Sequence, residues 1–302
     1  MSFQRIARRV NPNVSFLYFD IQSYGLCNQL FSMACGIADG SQMKKPVAFR
    51  GLYPDMTSSR FLPIETFIDV EATNRQISDL GTKILTMVKG GPRMVRANMF
   101  ASNDWQRNLQ QKCLQLFVFS NAIQKKANEL APQAPFYCIH FRLDVDMLLF
   151  YRAGPDVYHK WIGLTDLKRE NDARNIVIDQ IEKNRDWIRE RIKAYVDAVN
   201  EHCVDASAPI YVLTGIGKTN IHLGQNDLME WAFNEFQQAL AMKSLVRGTK
   251  MENLIGREYA AAVELNVACH PNVLGFIGSS GSTFSETIRL RNKPEKFLAV
   301  VN

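Results

Sequence analysis

Residues 137–147 read Tyr-Cys-Ile-His-Phe-Arg-Leu-Asp-Val-Asp-Met, and this stretch decides the fold class. A nearly uninterrupted apolar run leads into one arginine and two carboxylates. The run at 136–141 predicts a short buried strand, because it is apolar and follows Pro132 and Pro135. Polar side chains just beyond the carboxyl end of a strand are typical of ligand sites in open α/β folds.

Arg142 is the first candidate binding residue. Its guanidinium keeps its charge at any working pH, and its planar fork of donors suits a phosphate group. A structural ion pair with Asp144 or Asp146 explains the same residues, since ion pairs at strand ends are common. This stretch alone leaves both interpretations open.

The size and charge of the chain narrow the function classes. A length of 302 residues favours two domains, and 46% hydrophobic with 22% charged residues is typical of a soluble globular protein. The net charge of +6 suits an anionic ligand such as a nucleotide, or a nucleic acid. The basic residues are dispersed and no nucleic-acid-binding motif is present, so we expect no nucleic-acid partner.

The six cysteines form no CxxC pair and lie in apolar surroundings. We expect buried free thiols, which favour a reducing compartment, although their spacing leaves a disulfide open. Residues 1–10 carry three arginines without an apolar signal-peptide core, and no run approaches the ~18 apolar residues of a membrane span. The sequence therefore predicts a cytoplasmic protein without a membrane span, with a trimmed luminal protein as the alternative.

Strands and helices alternate in both halves of the chain. The predicted strands are 14–21, 46–49, 136–141, 209–214, 273–277 and 297–301, and the predicted helices are 28–42, 120–130, 174–201, 227–240, 252–269 and a short one from Ser282. This alternation predicts an α/β protein with parallel sheets. Residues 51–91 show no clear pattern, and 151–173 is predicted as a loop or linker.

A dense cluster of small and hydroxyl residues at 278–286 lies between a predicted strand and a predicted helix. Small residues such as Gly281 let the backbone approach a ligand closely. The hydroxyls of Ser282, Thr283 and Ser285, with the amides of the first helical turn, offer donors for a diphosphate. An ordinary helix cap accounts for one such hydroxyl. The G-x-S-x-G elbow of serine hydrolases is absent.

Two other turns carry weaker signals. Gly25, Asn28 and Gln29 follow the first strand, but a single glycine beside an asparagine is typical of a capped turn, and GxGxxG is absent. Gly215 begins a Gly-Ile-Gly-Lys segment that resembles part of a phosphate loop without matching GxxxxGK[ST], and we predict that it faces the ligand. The histidines lack metal-ligand spacing, so no metal site is predicted.

Three segments, taken together and in this order, resemble the GDP-fucose O-fucosyltransferase superfamily. They are GLCNQLFSMACGIADG at 25–40, IHFRLDVDM at 139–147 and GFIGSSGSTFSETI at 275–288. The middle segment is similar to the plant-type pattern HLRFExDM, with Asp144 where that pattern has Glu. The resemblance implies an α/β, GT-B-like fold of two Rossmann-like domains facing a central cleft. We place the acceptor-side domain at 1–150 and the nucleotide-sugar domain at 151–302.

The resemblance also implies an inverting glycosyl transfer without a metal or other cofactor, with fucose moving from GDP-fucose to a hydroxyl of a glycan or glycoprotein. The donor-binding residues it implies, together with the loop predicted above, are His140, Arg142, Gly215, Gly281, Ser282, Thr283 and Phe284. Gly25 and Asn28 would line the acceptor side. There are two alternatives. One is the same fold with another donor, such as a rhamnosyltransferase, and the other is a non-catalytic nucleotide- or glycan-binding protein.

The chemistry of such a transfer agrees with this placement. Negative charge grows on the nucleoside diphosphate as the glycosidic bond breaks, and Arg142 and the helix N-terminus at Ser282 would stabilise it. Asp144, Asp146 and Glu286 are candidates for the base that deprotonates the acceptor hydroxyl. The residues leave the choice among these three carboxylates open.

Overall fold

The computed structural model describes residues 15–21, 25–54, 60–86, 94–99, 101–143, 185–214, 225–248 and 256–301. In chain order the elements are β1 (Leu17–Asp20), α1 (Leu26–Met43), β2 (Val47–Phe49), a 3-10 turn (Ile64–Thr66), α2 (Val70–Gln76), a second 3-10 turn (Ser78–Leu80), β3 (Ile84–Leu85), β4 (Val95–Arg96), α3 (Asp104–Leu116), α4 (Asn121–Leu130), β5 (Phe136–His140), α5 (Arg185–His202), β6 (Ile210–Leu213), α6 (Gln225–Ala239), β7 (Leu245–Arg247), α7 (Arg257–Ala268), β8 (Val273–Ser279), α8 (Thr283–Arg291), a third 3-10 turn (Pro294–Lys296) and β9 (Phe297–Val301).

The chain divides into two compact units that do not follow a single cut in the sequence. The first comprises Met1–Ala131, Leu254–His270 and Glu286–Lys293, and the second comprises Pro132–Asn253, Pro271–Ser285 and Pro294–Asn302. The predicted boundary at residue 150 differs from this division. Because β5 pairs with β6 and β8, the strand that ends at His140 belongs to the second unit rather than to the N-terminal one.

The first unit contains a parallel sheet in the order β3-β2-β1-β4. Helix α1 is almost entirely buried, and Gly36 lets it approach the sheet closely. A Cβ added at Gly36 would lie 2.9 Å from the ring of Phe49, which itself stacks on Phe19 at 5.9 Å between ring centroids. A larger residue at this position would push the helix away from β1 and β2.

The second unit contains a parallel sheet in the order β7-β6-β5-β8-β9. Counted from β5, this is the 3-2-1-4-5 order of a Rossmann fold, and the direction of the order reverses between β5 and β8. In such sheets ligands bind outside the carboxyl ends of the strands at the point of reversal. The topology therefore singles out the residues that follow β5 and β8.

The core of the second unit is aromatic where α5 and α6 cover the sheet. The ring centroid of Phe141 lies 5.1 Å from that of Tyr195 on α5 and 4.5 Å from that of Phe236 on α6. Ile188, Tyr195 and two further residues of α5 are buried. The start predicted for this helix, 174–184, lies outside the described residues.

All six cysteines are free thiols, five of them buried and Cys269 partly so, which confirms the thiol prediction. Within the described ranges, none of the helices is long and apolar enough to cross a membrane. The cytoplasmic localisation stays a prediction.

Candidate functional site

The candidate site lies where β5 and β8 end side by side. Ile139 of β5 is in register with Ile277 of β8, so His140 at the end of β5 lies beside the strand end at Ser279. The chain then turns after β8 and enters α8 at Thr283. The described part of the first segment singled out in the sequence, 139–143, therefore meets the second segment, 275–288, at the reversal point of the sheet.

Arg142 and Ser282 are in direct contact at this edge. The Nη1 of Arg142 donates a hydrogen bond to the Oγ of Ser282 at 3.1 Å. The same Oγ accepts the backbone N–H of Ser285 at 3.4 Å, which is the geometry of a helix cap. Ser282 is thus both the cap of α8 and a partner of Arg142. The Arg142 cation therefore lies at the positive end of the α8 dipole.

His140 is held on two sides. Its Nδ1 lies 2.8 Å from the Oγ of Ser285, which also accepts the N–H of Ser279 at 2.9 Å. The ring of Phe284 packs against the imidazole with 4.8 Å between centroids. Ser285 is buried, so this hydroxyl fixes the orientation of the histidine from beneath.

Gly281 gives the turn its shape. Its φ of 64° lies in the left-handed region, where any residue with a Cβ is strained. This turn brings Ser282 to the start of α8. Its role in donor binding stays a prediction.

A buried tyrosine lies behind the two strand-end residues. The hydroxyl of Tyr195 donates to the carbonyl of His140 at 2.9 Å and accepts the N–H of Arg142 at 3.1 Å. Burial raises the pKa of this phenol, so it stays neutral. One turn earlier on α5, the Nη2 of Arg191 donates to the Oγ of Ser279 at 2.7 Å.

The N-terminus of α1, in the first unit, is held by a carboxylate that the sequence did not suggest. The buried Glu258 of α7 accepts the N–H of Leu26, the first residue of α1. This bond accounts for the start of α1 two residues before the predicted position. Gly25 has an ordinary φ of −52°, so its backbone conformation does not require glycine.

Asn28 and Gln29 differ in how their amides are used. Gln29 donates to the carbonyl of Tyr53 at 3.1 Å and accepts its N–H at 2.8 Å, so this side chain is structural. The Oδ1 of Asn28 is buried and, within the part of the chain that the structure describes, has no hydrogen-bond partner. Among the described residues, the amide oxygen of Asn28 is therefore unbonded, whereas the amide of Gln29 bonds to the backbone of Tyr53 through both of its polar atoms.

Three predicted site residues, Asp144, Asp146 and Gly215, lie outside the described residues. Of the carboxylates proposed as a base, Glu286 is described, and it accepts two hydrogen bonds from Arg289 at 2.7 and 2.6 Å. Among the residues with a described position, no group of three His, Cys, Asp or Glu side chains is arranged to hold a metal ion. The expectation of a metal-free reaction stays a prediction.

A pocket of about 300 Å³ in the first unit contains none of the predicted site residues. Arg291 forms part of its wall, and the Nη1 of Arg291 donates to the carbonyls of Leu114 and Phe117, each at 2.8 Å. These bonds satisfy the carboxyl end of α3, and the guanidinium lies over Phe119 at 5.1 Å. The arginine is explained by its role in holding this helix end.

Sequence reasoning missed the roles of Tyr195, Arg191 and Glu258. Tyr195 lies within the helix predicted at 174–201, where an aromatic residue indicates packing, yet a buried tyrosine also needs a partner for its hydroxyl. Arg191 stands four residues before it, on the same side of the helix. For Glu258, 232 residues beyond Leu26, the sequence carried no signal.

The two parallel sheets and the site at the reversal point define an α/β fold of the Rossmann-like type. The structure is similar to a crystal structure of POFUT1 in complex with GDP-fucose, with a TM-score of 0.53 and 10% sequence identity over 97% of this chain and 99% of that chain. It is also similar to POFUT1 in complex with GDP, with a TM-score of 0.50 and 10% identity over 97% and 98% of the two chains.

At this identity the likeness shows the fold. The predicted α/β fold with parallel sheets is confirmed, and it matches the GT-B-like fold of these neighbours. No protein-family model matches the sequence, and the comparison with curated proteins gives no match.

Proposed function

We propose that this chain is a glycosyltransferase that takes fucose from GDP-fucose and transfers it to a hydroxyl of a glycan or glycoprotein. The observation that supports the proposal best is the hydrogen bond between Arg142 and Ser282 at the N-terminus of α8. A guanidinium and a helix N-terminus at the reversal point of a Rossmann-like sheet form a site for a diphosphate.

This arrangement suits the leaving group of a sugar transfer. Negative charge builds up on the diphosphate as the glycosidic bond breaks, and preorganised donors at that position lower the barrier. Arg142 contributes a fixed positive charge, and the first turn of α8 contributes backbone N–H groups. We propose that these groups take the place of a metal ion and that the transfer inverts the anomeric centre.

The choice of donor rests on the fold neighbours and on the motifs. Both neighbouring crystal structures are of POFUT1, one in complex with GDP-fucose and one with GDP. The order of His140, Arg142 and the Ser282-Thr283-Phe284 turn supports the same donor here. We assign His140 and Phe284 to the donor site because their rings pack together beside Arg142.

The acceptor side of the proposal rests on the first turn of α1. Asn28 has a buried amide oxygen without a hydrogen-bond partner among the described residues, which suits it to a sugar or side-chain hydroxyl. Asp144 and Asp146 are the candidates for the base. Glu286 is the weaker candidate, because its carboxylate is held by Arg289.

The test is isothermal titration of the purified chain with GDP, GDP-fucose, UDP and dTDP, each with and without EDTA. Binding of GDP and GDP-fucose that EDTA leaves unchanged supports the proposal, and transfer or hydrolysis of GDP-fucose then establishes turnover. Preference for dTDP or UDP would move the donor to another sugar, such as rhamnose. GDP binding without turnover on any acceptor or on water would identify a non-catalytic binding protein.

A further inference from the structure

The hydroxyl of Tyr195 bridges two backbone groups on either side of Phe141. It donates to the carbonyl of His140 at 2.9 Å and accepts the N–H of Arg142 at 3.1 Å. Tyr195 lies on α5, and its exposed fraction is 0%, so no solvent competes for these bonds. The bridge connects a helix of the second unit to the end of its central strand.

This bridge lies at the point where the hydrogen-bond pairing of β5 with its neighbouring strand ends. The N–H of Phe141 still bonds to the carbonyl of Leu213, the last residue of the neighbouring strand β6, at 2.9 Å. The next N–H, that of Arg142, has left the ladder and turns back to the carbonyl of His140 at 3.1 Å. Because β5 has ended, the Tyr195 hydroxyl is the side-chain group that fixes this bend.

The direction of the Arg142 side chain depends on that bend. Its guanidinium reaches Ser282 at 3.1 Å, and a rotation of the backbone at 140–142 would move the guanidinium away from α8. A displacement of about 1 Å in such a group costs orders of magnitude in a reaction that depends on orientation. Tyr195 is therefore placed to act on the diphosphate site without touching the ligand.

We propose that Tyr195 is a positioning residue for donor binding, whose hydroxyl holds the backbone of His140 and Arg142 so that the Arg142 guanidinium meets Ser282. The inference rests on the proposed function, because it names how that site is kept in shape. Phenylalanine would pack as well against Phe141, so the hydroxyl is the part of Tyr195 that the core does not explain.

Arg191 supports this assignment from the same helix. Its guanidinium lies 5.8 Å from the centroid of the Tyr195 ring and donates to the Oγ of Ser279 at 2.7 Å. The strand end at Ser279 is in turn tied to Ser285 through its N–H. One helix thus holds the ends of both strands that form the site.

The test is Tyr195→Phe, which keeps the ring and removes the hydroxyl. Losing the two hydrogen bonds that hold the backbone at 140–142 should weaken GDP binding about 3- to 10-fold in isothermal titration. The matched control is Tyr137→Phe, at the opposite end of β5, where the hydroxyl accepts the N–H of Asp205 at 3.3 Å. This variant also removes a tyrosine hydroxyl from the core of the second unit, and it should keep its GDP affinity within about twofold.

A double-mutant cycle with Arg142→Met separates positioning from general loosening of the core. If Tyr195 acts through Arg142, Tyr195→Phe has no further effect on GDP affinity once Arg142 is replaced. Additive losses would show a structural role and overturn the inference.

Failure of the inference differs from failure of the proposed function. A wild-type chain that binds no nucleotide overturns the proposed function and this inference with it. A wild-type chain that binds GDP through Arg142, with an unchanged affinity in Tyr195→Phe, overturns the role of Tyr195 alone.

Discussion

The guanidinium of Arg142 donates a 3.1 Å hydrogen bond to the hydroxyl of Ser282, a residue 140 positions later in the chain. The contact joins the end of one central strand to the cap of the helix that follows its neighbour. It brings a permanent positive charge to a helix N-terminus, and both the charge and the helix dipole stabilise an anion bound there.

Arg142→Ala should weaken GDP binding and turnover by about 10- to 100-fold, because charge-assisted hydrogen bonds contribute about 1.5–3 kcal/mol. Arg142→Lys should fall between the wild type and the alanine variant, since lysine keeps the charge but lacks the fork. Titration calorimetry and initial rates with GDP-fucose measure both effects. Arg189→Ala, which removes an exposed arginine bonded to Asp186, is the control. A folded Arg142→Ala chain with wild-type affinity would contradict the assignment.

Ser285 supports the site from beneath, and its replacement should mainly affect stability. Its buried hydroxyl accepts the N–H of Ser279 and bonds to His140, so Ser285→Ala leaves a buried N–H without a partner. Such a loss costs about 1–3 kcal/mol of unfolding free energy. Ser280→Ala in the same turn is the control, because the described residues show a hydrogen bond of its N–H but none of its side chain. Urea denaturation of the two variants measures the difference, and equal stabilities would exclude this role for Ser285.

The strands with clear apolar runs were predictable, and the short strands β3, β4 and β7 were not. The strand predicted at 297–301 is β9, with the same two ends. It was predictable because a run of aromatic and branched residues follows a turn signal. The three residues of β7, Leu245–Arg247, and the two of β3 are too short to show a period of two.

Helix α3 escaped prediction because part of its buried face is polar. Gln106 and Gln110 occupy positions that an apolar pattern would fill. Gln106 bonds to Asp39, and Gln110 donates to the carbonyls of Phe31 and Met99 at 2.9 and 2.7 Å. Specific partners on distant segments make these amides buriable, and the local sequence does not show them.

The candidate site divides in the same way. The turn at 278–286 and Arg142 were visible in the sequence, since both stand out by composition within a few residues. Their contact depends on β5 and β8 being neighbours in the sheet, which is a property of the strand order. The hydroxyl of Tyr195 and the carboxylate of Glu258 act over 53 and 232 residues, and no local pattern carries such pairings.

Asn28 and Gln29 form a natural pair of adjacent amides with opposite expected effects. Gln29→Met removes two hydrogen bonds to the backbone of Tyr53 in a buried place, so the unfolding free energy should fall by about 1–3 kcal/mol. Asn28→Ala removes a side chain whose buried oxygen has no partner among the described residues, so stability should change by less than about 1 kcal/mol.

The order of the two variants should be reversed for the rate of transfer: Asn28→Ala, the more stable of the two, should be the less active. If Asn28 contacts the acceptor, Asn28→Ala should lower transfer to a glycan acceptor while GDP affinity stays unchanged. Gln29→Met, measured below its melting temperature, should keep the transfer rate closer to that of the wild type. Transfer at the wild-type rate by Asn28→Ala would remove this residue from the acceptor side.

Asp39 should make the stability of the first unit depend on pH. Its side chain is buried in α1, and burial raises the pKa of its carboxyl from 3.8 to about 7, against the stabilising hydrogen bond from the Nε2 of Gln106 at 2.8 Å. The neighbouring thiols of Cys35 and Cys113 stay neutral, because burial raises the pKa of both. The folded state therefore binds the Asp39 proton more tightly than the unfolded state does.

The sign of the effect follows from that difference. The stability contributed by protonated Asp39 is fully present below the unfolded pKa near 4. It is lost as the pH rises through the folded pKa near 7. A difference of about three pKa units at 1.36 kcal/mol each corresponds to a loss on the order of 4 kcal/mol. About two of these three units are lost between pH 5 and pH 8, on the order of 3 kcal/mol, and urea denaturation at these two pH values measures that part.

Asp39→Asn is the matched variant, because an asparagine oxygen accepts the same bond without ionising. The amide of Gln106 cannot reverse freely, since its Oε1 already accepts the N–H and the hydroxyl of Ser102, each at 2.8 Å. Asp39→Asn should therefore match the wild type only below about pH 4, and its advantage in stability should grow between pH 5 and pH 8. A wild-type stability that rises between these two pH values, with Asp39→Asn following the same curve, would show that Asp39 ionises in the folded protein without cost.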